Sequence, residues 1–590
     1  MIAAGAAIAS GLLASLAAPE ALAFRIARSD LAGVQARLLR GLVGRNAESV
    51  FGRRHGFGTI RSVAAYQARV PLSTYDDYRD AVRRIGDGEP HVLTREPVRR
   101  LEPTSGSTDG VKLIPYTRSL RAGFERAVAA WLWDLYRQDP ALLGGPAYWS
   151  ATPVARREAR TPGGLPIGFE EDSEYLGPLR GGLIRRTFAV PPVVRLIDDI
   201  EAFRYATLRF LVQAPALSLV SVWHPSFLTL LVAQLGPWGD RLAHDVAQGR
   251  LTPLGPLAPA LASALAAPLR ADGRRAAEIR EACRARTPAE VHARLWPRLR
   301  LVSCWADGWA ALHVPELAQL FPQARIQGKG LVATEGIVSF PLVGREGAAL
   351  AIRSHFYEFL PAGGGPVRLA HELSRGDRYA VVLTTGGGLY RYRLQDLVEV
   401  TGHVGDCPLL RFVGREASVA DRFGEKLHED QVARALGALL GRHAIVASFA
   451  MVACEEGMGR SGYVLFAEAP GCPDGTLQRL GEDLEAALGE GYHYRYCRDL
   501  GQLGPLQVFR IEGDASEQYL ANCRARGQRI GDIKPRALSP ESGWARVFPG
   551  RFLSAPTRRL LGPGPPAGSE GPTASRAFDP SRQPHGPGLA

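Results

Sequence analysis

A loop of glycine and small hydroxyl residues that ends in a lysine is the first feature of this chain that could do chemistry. Residues 104–112 read TSGSTDGVK, and LIPYT follows, a run typical of a β-strand. Glycine lets the backbone approach an anion closely, hydroxyl groups donate hydrogen bonds, and an ammonium adds a point charge. A Walker A loop would need Ser or Thr after its lysine and a helix, and neither is present here. The segment predicts either another kind of phosphate loop or a polar surface turn.

Lysine is scarce in this chain. Of 71 basic residues only four are lysines, at positions 112, 329, 426 and 534, which leaves 71 − 4 = 67 arginines. An ammonium is a compact point charge that a planar guanidinium cannot imitate. The four lysines are therefore candidates for chemistry, with chance in an Ala/Gly/Arg-rich composition as the alternative.

Further segments carry residue types that suit a nucleotide site. In GLVATEGIVSFP (330–341), the hydroxyl of Thr334 beside the carboxylate of Glu335 suits a magnesium ion that bridges phosphates. In GGGLYRYRLQDLVEVTG (386–402), Asp396 could accept both hydroxyls of a ribose. Arg415 lies in LRFVGREASVADRFGEKLHED (410–430), and Lys534 lies in GDIKPRALSP (531–540). Taken singly, each of these residues also fits a solvated turn.

Composition narrows the class of protein. A chain of 590 residues is too long for one core, and 46% apolar with 22% charged residues is typical of a soluble globular protein. The net charge is +12, but the arginines are scattered and do not alternate with aromatic residues, which argues against nucleic-acid binding. The seven cysteines form no CxxC and no zinc spacing, so we expect free thiols in a reducing cytoplasm.

Strand-like and helical runs alternate through most of the chain. Strands are predicted at 145–152, 217–223, 299–306, 324–336 and 378–385, with helices such as 201–213 and 276–295 between them, which favours an α/β domain with a largely parallel core. After Gly414 the pattern changes to strands at 443–454 and 462–469, a helix at 475–491 and a strand at 506–513. The predicted fold class is α/β, with a large N-terminal domain of mixed and parallel sheets and a small C-terminal α+β domain joined by a hinge.

The two ends of the chain differ from the rest. Residues 1–24 are apolar and Ala-rich without a basic start, so we expect a helix and a cytoplasmic protein, with a signal peptide or anchor as the alternative. The last residues are rich in Pro, Gly and Ser and predict a disordered tail. The predicted divisions are 1–24, a large domain 25–413, a mobile small domain 414–550, and a tail 551–590.

The order of these segments resembles the adenylate-forming superfamily of acyl-CoA synthetases, peptide-synthetase adenylation domains and luciferase. The chain is most similar to a bacterial member of the auxin-responsive Gretchen Hagen three family of acyl acid–amido synthetases, over about residues 35–540. The segments that carry the likeness are TSGSTDGVKLIPYT, SVWHPSFLTLLV, YEFLP, TTGGGLYRYRLQDLVEVTG, LLRFVGRE and GDIKPR. The family usually has glycine before the motif aspartate, where this chain has Gln395; a side chain there could tighten the nucleotide edge.

The resemblance implies ATP and Mg²⁺ as cofactors and a reaction in two halves. A carboxylate attacks the α-phosphate of ATP to give an acyl-adenylate, and an amino acid amine then attacks the acyl carbon and releases AMP. Glu335 would hold the metal, Asp396 the ribose, and Lys534 would bridge the carboxylate and the α-phosphate as the small domain rotates. Lys534, Lys112 and Thr334 would be catalytic, and the nucleotide would be bound by Ser105, Gly106, Ser107, Thr108, Gly110, Lys112, Gly330, Thr334, Asp396 and Arg415.

The substrates are predicted only by class. A small carboxylic acid would be bound near Tyr116, Trp223 and His224, with packing as an equal alternative for the last two. An acyl-CoA ligase and a catalytically degenerate nucleotide-binding protein remain as alternative functions. We expect no nucleic-acid partner, no stable membrane association and a monomer.

Overall fold

The computed structural model describes residues 2–104, 112–150, 159–168, 177–416, 419–420, 425–455, 462–526, 528, 533 and 535–553. Several predictions therefore fall outside the described residues. These are the hydroxyl and glycine positions of the phosphate loop, the late lysine, and the disordered tail: Ser105, Gly106, Ser107, Thr108, Gly110, Lys534 and residues 554–590.

Helices and strands alternate along the described chain. The helices are α1 Ile2–Ala27, α2 Leu31–Arg45, α3 Val50–Arg54, α4 Val63–Arg69, α5 Arg79–Gly86, α6 Arg118–Gln138, α7 Gly177–Thr187, α8 Ile200–Val212, α9 Pro225–Ala233, α10 Leu235–Gln248, α11 Pro259–Ala266, α12 Gly273–Cys283, α13 Pro288–Leu295, α14 Val314–Leu320, α15 Glu429–Arg442, α16 Asp474–Gly489, α17 Tyr492–Asp499 and α18 Ala515–Ala525. The strands are β1 Arg100–Pro103, β2 Leu113–Tyr116, β3 Ala147–Trp149, β4 Ala159–Arg160, β5 Pro166–Ile167, β6 Leu219–Ser221, β7 Leu301–Cys304, β8 Arg325–Gly328, β9 Val332–Ala333, β10 Gly336–Ile337, β11 Ser339–Pro341, β12 Ala348–Leu350, β13 Phe356–Pro361, β14 Arg368–Leu369, β15 Arg378–Thr384, β16 Tyr392–Val404, β17 Cys407–Arg415, β18 Val419–Ala420, β19 Leu427–His428, β20 Phe449–Glu455, β21 Gly462–Glu468, β22 Gln507–Ile511, β23 Leu538–Ser539 and β24 Gly550–Leu553.

A four-stranded parallel sheet, in the order β3-β6-β7-β8, contains four of the strands predicted from sequence. Long connections that contain α7 to α14 separate its strands, as parallel pairing requires. One face of this sheet packs into a core with Val220, Val302 and Ile326. The other face adds Leu219 and Leu301 to the core that surrounds α6.

The largest sheet is antiparallel, which corrects the expectation of a largely parallel core. Its seven strands run in the order β11-β12-β17-β16-β15-β13-β14, and every pairing in it is antiparallel. Residues 378–384, predicted as part of the parallel core, form β15 of this sheet. Only seven residues separate β15 from β16, too few for a parallel crossover.

The C-terminal part forms a five-stranded sheet of its own, in the order β23-β20-β21-β22-β24, with α15 and α16 packed in its core. Strands β20, β21 and β22 and helix α16 agree with the predicted small-domain pattern to within a few residues, except that β20 begins only at Phe449. The predicted fold class, a mixed α/β fold with a large N-terminal part and a smaller C-terminal part, is confirmed.

The apolar N-terminal segment forms α1 and packs along one side. The ring of Phe24 meets Phe340 edge-on at 5.0 Å, and Arg353 Nε donates to Glu20 Oε1 at 2.6 Å. The opposite side exposes Ile8, Leu12, Leu16, Leu22 and Ile26. Within the described ranges, α1 is the helix that is long and apolar enough to cross a membrane. The helix is therefore built into the fold through one face while its other face remains apolar.

Candidate active site

The Thr-Glu pair forms the tip of a tight hairpin. Ala333 of β9 pairs with Gly336 of β10, so Thr334 and Glu335 are the two residues of the turn. A Cβ at Gly336 would lie 2.9 Å from Nε2 of His355, so only glycine fits after the turn. Glu335 is 8% exposed although it lies in a turn. The hairpin thus places a carboxylate inside the protein, where it requires positive partners.

Asp396 and Arg415 come together across two neighbouring strands. They are register partners on β16 and β17, and Arg415 Nε donates to Asp396 Oδ1 at 3.0 Å. Asp396 is 4% exposed. The Asp396 carboxylate is the main reason why the pKa of Arg415 is raised. Asp396 and Arg415 therefore lie together in one site, and their shared role in binding the nucleotide stays a prediction.

The electrostatic environment of Glu335 connects these residues. Burial raises the pKa of Glu335, the Asp396 carboxylate raises it further, and the charges of Arg415 and Lys112 oppose the shift. The hydroxyl of Tyr392 donates to Glu335 Oε1 at 3.3 Å. We call Lys112, Glu335, Asp396 and Arg415 the motif cluster. Four distant segments of sequence supply its two carboxylates and two cations.

The position of Lys112 is supported by Tyr75. The backbone N–H of Leu113 donates to the Tyr75 hydroxyl at 2.8 Å, and the Lys112 ammonium lies 5.9 Å from the centre of the Tyr75 ring. Neither Tyr75 nor Tyr392 was predicted from sequence. The alternation in LYRYRLQD, which places Tyr392, Leu394 and Asp396 two residues apart, was the signal available for Tyr392.

Gln395 has a backbone conformation that glycine adopts more easily than other residues. This accounts for the glycine that the resembled family usually has at this position. The φ of Gln395 is +65°, in the left-handed region, and its carbonyl accepts the N–H of Glu416 at 2.8 Å. The register between β15 and β16 shifts at this point. A side chain in this conformation costs about 1–2 kcal/mol, whereas glycine adopts it without steric cost. The predicted effect of Gln395 on the nucleotide edge stays a prediction.

A buried ion pair joins two of the motif segments, 357–361 and 386–402. Arg391 Nε donates to Glu358 Oε2 of YEFLP at 3.0 Å, and the side chains are 7% and 1% exposed. Arg391 Nη1 also donates to the carbonyls of Gln67 and Val70. These contacts join β13 to the segment that leads into β16 and to the end of α4.

A metal ion would find few protein ligands in this site. Among the described residues, no group of three His, Cys, Asp or Glu side chains is arranged to hold one. Mg²⁺ is usually bound by one or two carboxylates together with substrate phosphates and water. A single buried carboxylate at Glu335 is compatible with this mode of Mg²⁺ binding.

Three further residues predicted from sequence are Thr334, Gly330 and Tyr116. Thr334 and Gly330 are half-buried near the hairpin, and a Cβ at Gly330 would lie 2.6 Å from the carbonyl oxygen of Ser339. Tyr116 lies in the core at 3% exposure, 6.4 Å from the Phe124 ring, and burial raises its pKa. Its predicted contact with substrate stays a prediction that this position does not favour.

Trp223 and His224 follow β6 at the carboxyl end of the parallel sheet. His224 caps α9, because its Nδ1 accepts the N–H of Ser226 at 3.2 Å. Trp223 is half-buried, and its ring lies 5.5 Å from that of Trp305. The packing interpretation therefore applies to His224, while Trp223 lies at the end of the sheet that also carries Ser221, Ser303, Trp305 and Lys329. Ser221, Ser303 and Trp305 were not predicted from sequence, and the repeated strings LVSVW (219–223) and LVSCW (301–305) were the signal that could have found them.

Comparisons with known proteins identify the family of this chain. Residues 23–326 match the GH3 family N-terminal domain, residues 348–415 its central domain and residues 429–542 its C-terminal domain. The indole-3-acetic acid-amido synthetase GH3.8 of Oryza sativa subsp. indica is 27% identical over 545 residues, which are 87% of this chain and 89% of the relative. The indole-3-acetic acid-amido synthetase GH3.3 of Arabidopsis thaliana is 23% identical over 551 residues, 86% of this chain and 89% of the relative.

A solved structure has the same fold. The AtGH3.15 acyl acid amido synthetase in complex with 2,4-DB superimposes with a TM-score of 0.79 at 20% identity, over 89% of this chain and 95% of that chain. The names of these relatives confirm the predicted class of enzyme, an acid–amino acid ligase. Because the three matched domains together span most of its length, the chain belongs to the GH3 family.

Proposed function

We propose that this protein activates a small carboxylic acid with ATP and transfers the acyl group to an amino acid. The acid carboxylate attacks the α-phosphate, pyrophosphate leaves, and an acyl-adenylate forms. The amine then attacks the acyl carbon, loses a proton, and AMP leaves with the electron pair of the broken acyl–oxygen bond. The observation that carries the proposal is the convergence of Lys112, Glu335, Asp396 and Arg415 in one site of a GH3 chain.

The motif cluster suits the electrostatic demand of the first half. Bringing a carboxylate to a triphosphate joins two anions, so donors and cations must face the charge that develops. In this proposal Lys112 and the preceding loop bind the β- and γ-phosphates, and Asp396 accepts the ribose hydroxyls. Arg415, paired to Asp396 at 3.0 Å, orients that carboxylate and steadies the ribose or the phosphates. Thr334 and Gly330 lie beside the α-phosphate, and Lys534 bridges it to the acid.

Magnesium fits the environment of Glu335. The carboxylate is buried and its pKa is raised, so a bound cation would stabilise the ionised form. Mg²⁺ supplies charge neutralisation on phosphate oxygens when it is bound. The Tyr392 hydroxyl, 3.3 Å from Glu335 Oε1, orients the carboxylate.

The small domain rotates in this proposal, with its boundary near residue 414, so that one site serves both half-reactions. The ion pairs that connect the large part to the C-terminal part support this. Arg204 Nη2 lies 2.7 Å from Glu517 Oε1, and Arg378 Nη1 lies 3.7 Å from Asp430 Oδ2. Glu517 and Arg378 remain 40% and 30% exposed. Partly exposed pairs contribute about 0–1 kcal/mol each, so a rotation that breaks them costs little.

We also propose a cytoplasmic monomer, with α1 as a permanent part of the fold. Burial of Phe24 and the Glu20–Arg353 pair support this. Fractionation of the full chain beside a chain that begins at Phe24 tests it. Recovery of the full chain with membranes, and of the shorter chain as stable soluble protein, would contradict it. The bacterial origin stays a prediction.

The activity test is hydroxamate formation with ATP and a panel of acids, followed by amide formation with amino acids and, separately, thioester formation with CoA. Amides without thioesters are the expected result, and thioesters alone would make the protein a CoA ligase. Lys534→Ala should abolish acid-dependent pyrophosphate exchange while ATP binding is retained. Unchanged exchange would remove Lys534 from the mechanism.

A further inference from the structure

The parallel sheet carries a row of polar side chains on its inner face. Trp149, Ser221, Ser303 and Gln327 are register partners on β3, β6, β7 and β8. Neighbours in register on a parallel sheet point to the same face. Two residues earlier in the first three strands, Ala147, Leu219 and Leu301 face the same core as α6. This face therefore changes from apolar to polar toward the carboxyl ends of the strands.

Ser221, Ser303 and Gln327 of this row are buried, and the aromatic residues Trp131 and Trp149 pack beside them. Trp131 of α6 donates its indole N–H to Gln327 Oε1 at 3.1 Å and meets Trp149 edge-on at 5.9 Å. Ser303 is 0% exposed, and its hydroxyl has no hydrogen-bond partner among the residues that the structure describes. A buried hydroxyl without a partner is costly in a protein interior, whereas a ligand acceptor would satisfy it.

Two residues after Ser221, Ser303 and Gln327 come Trp223, Trp305 and Lys329, beyond the ends of the strands. Trp305 N–H donates to the Trp223 carbonyl at 2.7 Å, which continues the pairing beyond the strands. The Lys329 ammonium donates to Ser221 Oγ at 2.6 Å and lies 5.2 Å from the centre of the Trp223 ring. We call Ser221, Trp223, Ser303, Trp305 and Lys329 the carboxyl-end subsite. Ligands of open α/β sheets bind at this edge.

The chemistry of the carboxyl-end subsite selects an anion on a flat body. An ammonium and two hydroxyls are donors that match a carboxylate, and indole faces accept a planar apolar group. The sites differ in their sheets, because Lys329 contacts the parallel sheet while Glu335 contacts Tyr392 of the antiparallel sheet. Benzoate, whose single carboxylate is the one that reacts with ATP, tests whether the carboxylate at Lys329 is a different group, because its pyrophosphate exchange should then not depend on Lys329.

We propose that Lys329, with Ser221 and Ser303, binds a substrate carboxylate that is not consumed in the reaction. This proposal rests on the proposed ligase function. The carboxylate has two possible sources, the α-carboxylate of the acceptor amino acid or a second carboxylate of the acid. Lys329 is the residue that makes the enzyme distinguish a charged substrate from its neutral analogue.

The test compares Lys329→Met with Arg274→Met, a control that removes a positive charge at a position that is 89% exposed. Amide formation is measured with phenylalanine and with phenylalaninamide, which keeps the amine and lacks the carboxylate. For an acceptor carboxylate, the wild type should prefer phenylalanine about 10- to 100-fold in kcat/KM, and Lys329→Met should lose this preference. Pyrophosphate exchange with benzoate should be unchanged.

The second arm compares terephthalate with benzoate in pyrophosphate exchange. If the carboxylate belongs to the acid, Lys329→Met should weaken the use of terephthalate about tenfold or more and leave benzoate and the phenylalanine preference unchanged. Lys329→Arg should keep part of either preference, because it keeps the charge. Retention of both preferences in a folded Lys329→Met protein, or absence of both from the wild type, overturns the proposal.

A binding measurement separates this proposal from the proposed function. Tryptophan fluorescence is titrated with phenylalanine and with terephthalate in the absence of ATP, since Trp223 and Trp305 line the subsite. If the wild type adenylates no acid, at least tenfold weaker binding of either ligand to Lys329→Met still supports the subsite. Equal affinities, or no binding to the wild type, reject it. If Lys329→Met does not fold, Lys329→Arg and Ser303→Ala replace it in the same titration, with weakened binding expected for both.

Discussion

The motif cluster and the carboxyl-end subsite bind charge in different ways. In the motif cluster, carboxylates and cations neutralise one another within the protein, as in the 3.0 Å pair of Arg415 and Asp396. In the carboxyl-end subsite, a cation contacts hydroxyl and indole groups, and one hydroxyl has no partner within the described chain. A site of balanced charges suits a polar nucleotide, whereas a site with a cation and hydroxyl donors suits an anionic ligand. The difference suggests that ATP and the second carboxylate are recognised independently.

The largest expected effect is on the free energy of unfolding, through the buried ion pair of Arg391 and Glu358. Glu358→Gln breaks the buried pair with Arg391, and the loss of one partner should cost about 3–5 kcal/mol in free energy of unfolding. Denaturant unfolding measures this. Glu346→Gln is the matched control, because Glu346 pairs with Arg411 but is 73% exposed and should cost under about 1 kcal/mol. Equal losses from the two variants would show that the Arg391 pair does not support the sheet.

Glu335→Gln should lower the rate of the adenylation step and leave the affinity for the acid unchanged. The loss of a carboxylate that holds metal and phosphates should lower kcat for pyrophosphate exchange about 10²- to 10³-fold. Exchange rates are measured across a magnesium titration, with Glu346→Gln as control. Acid affinity, measured by tryptophan fluorescence, should not change. A parallel loss of acid affinity would mean that the two sites are coupled.

Asp396→Ala should raise the KM for ATP about 10- to 100-fold, because hydrogen bonds to a charged acceptor are lost. The KM for the acid should stay constant. Steady-state kinetics with each substrate varied in turn gives both values. A fall in turnover with an unchanged KM for ATP would contradict the ribose role.

The pH dependence of turnover reports the charge coupling inside the motif cluster. Burial and the Asp396 carboxylate raise the pKa of Glu335. The ionised form is therefore lost as pH falls through a value above the usual pKa of glutamate, about 4.3. At limiting ATP, turnover should fall on the acid side at that higher pH, and Asp396→Asn should move this limb to lower pH. Measurement of kcat/KM for ATP, which reports the pKa of the free enzyme, tests the shift, and an upward shift would contradict the assignment.

The smallest effect concerns the backbone beside Asp396. Gln395→Gly removes the left-handed strain but adds chain entropy to the unfolded state, so we expect stabilisation of about 0–1 kcal/mol. Gln395→Ala is the control, because it keeps the Cβ and the strain. Thermal unfolding compares the two. A Gly variant less stable than the Ala variant would show that the glutamine side chain makes a contact that outweighs the strain.

Much of the motif cluster could be predicted because each member lies in a short segment with its own local signal. Asp396 and Glu335 follow strand-like runs, and Lys112 follows a glycine-rich loop. The carboxyl-end subsite was predicted only in part, through Trp223, because the repeat of LVSVW in LVSCW does not state that the two strings lie side by side. Lys329 stood out only through the scarcity of lysine. The antiparallel order of the largest sheet was also missed, since strand patterns alone do not state which strands pair.

The sequence by itself determined which segments become strands, helices and charged turns, because backbone conformation and side-chain alternation are local properties. The likeness to the family marked position 395 as one where glycine is usual, and the structure supplied the reason, a left-handed φ of +65°. Only the tertiary structure decided that Ser221, Ser303 and Gln327, which span more than 100 residues of chain, lie in one row. Register between distant strands depends on how helices pack against both faces of the sheet, and that packing is a property of the whole chain.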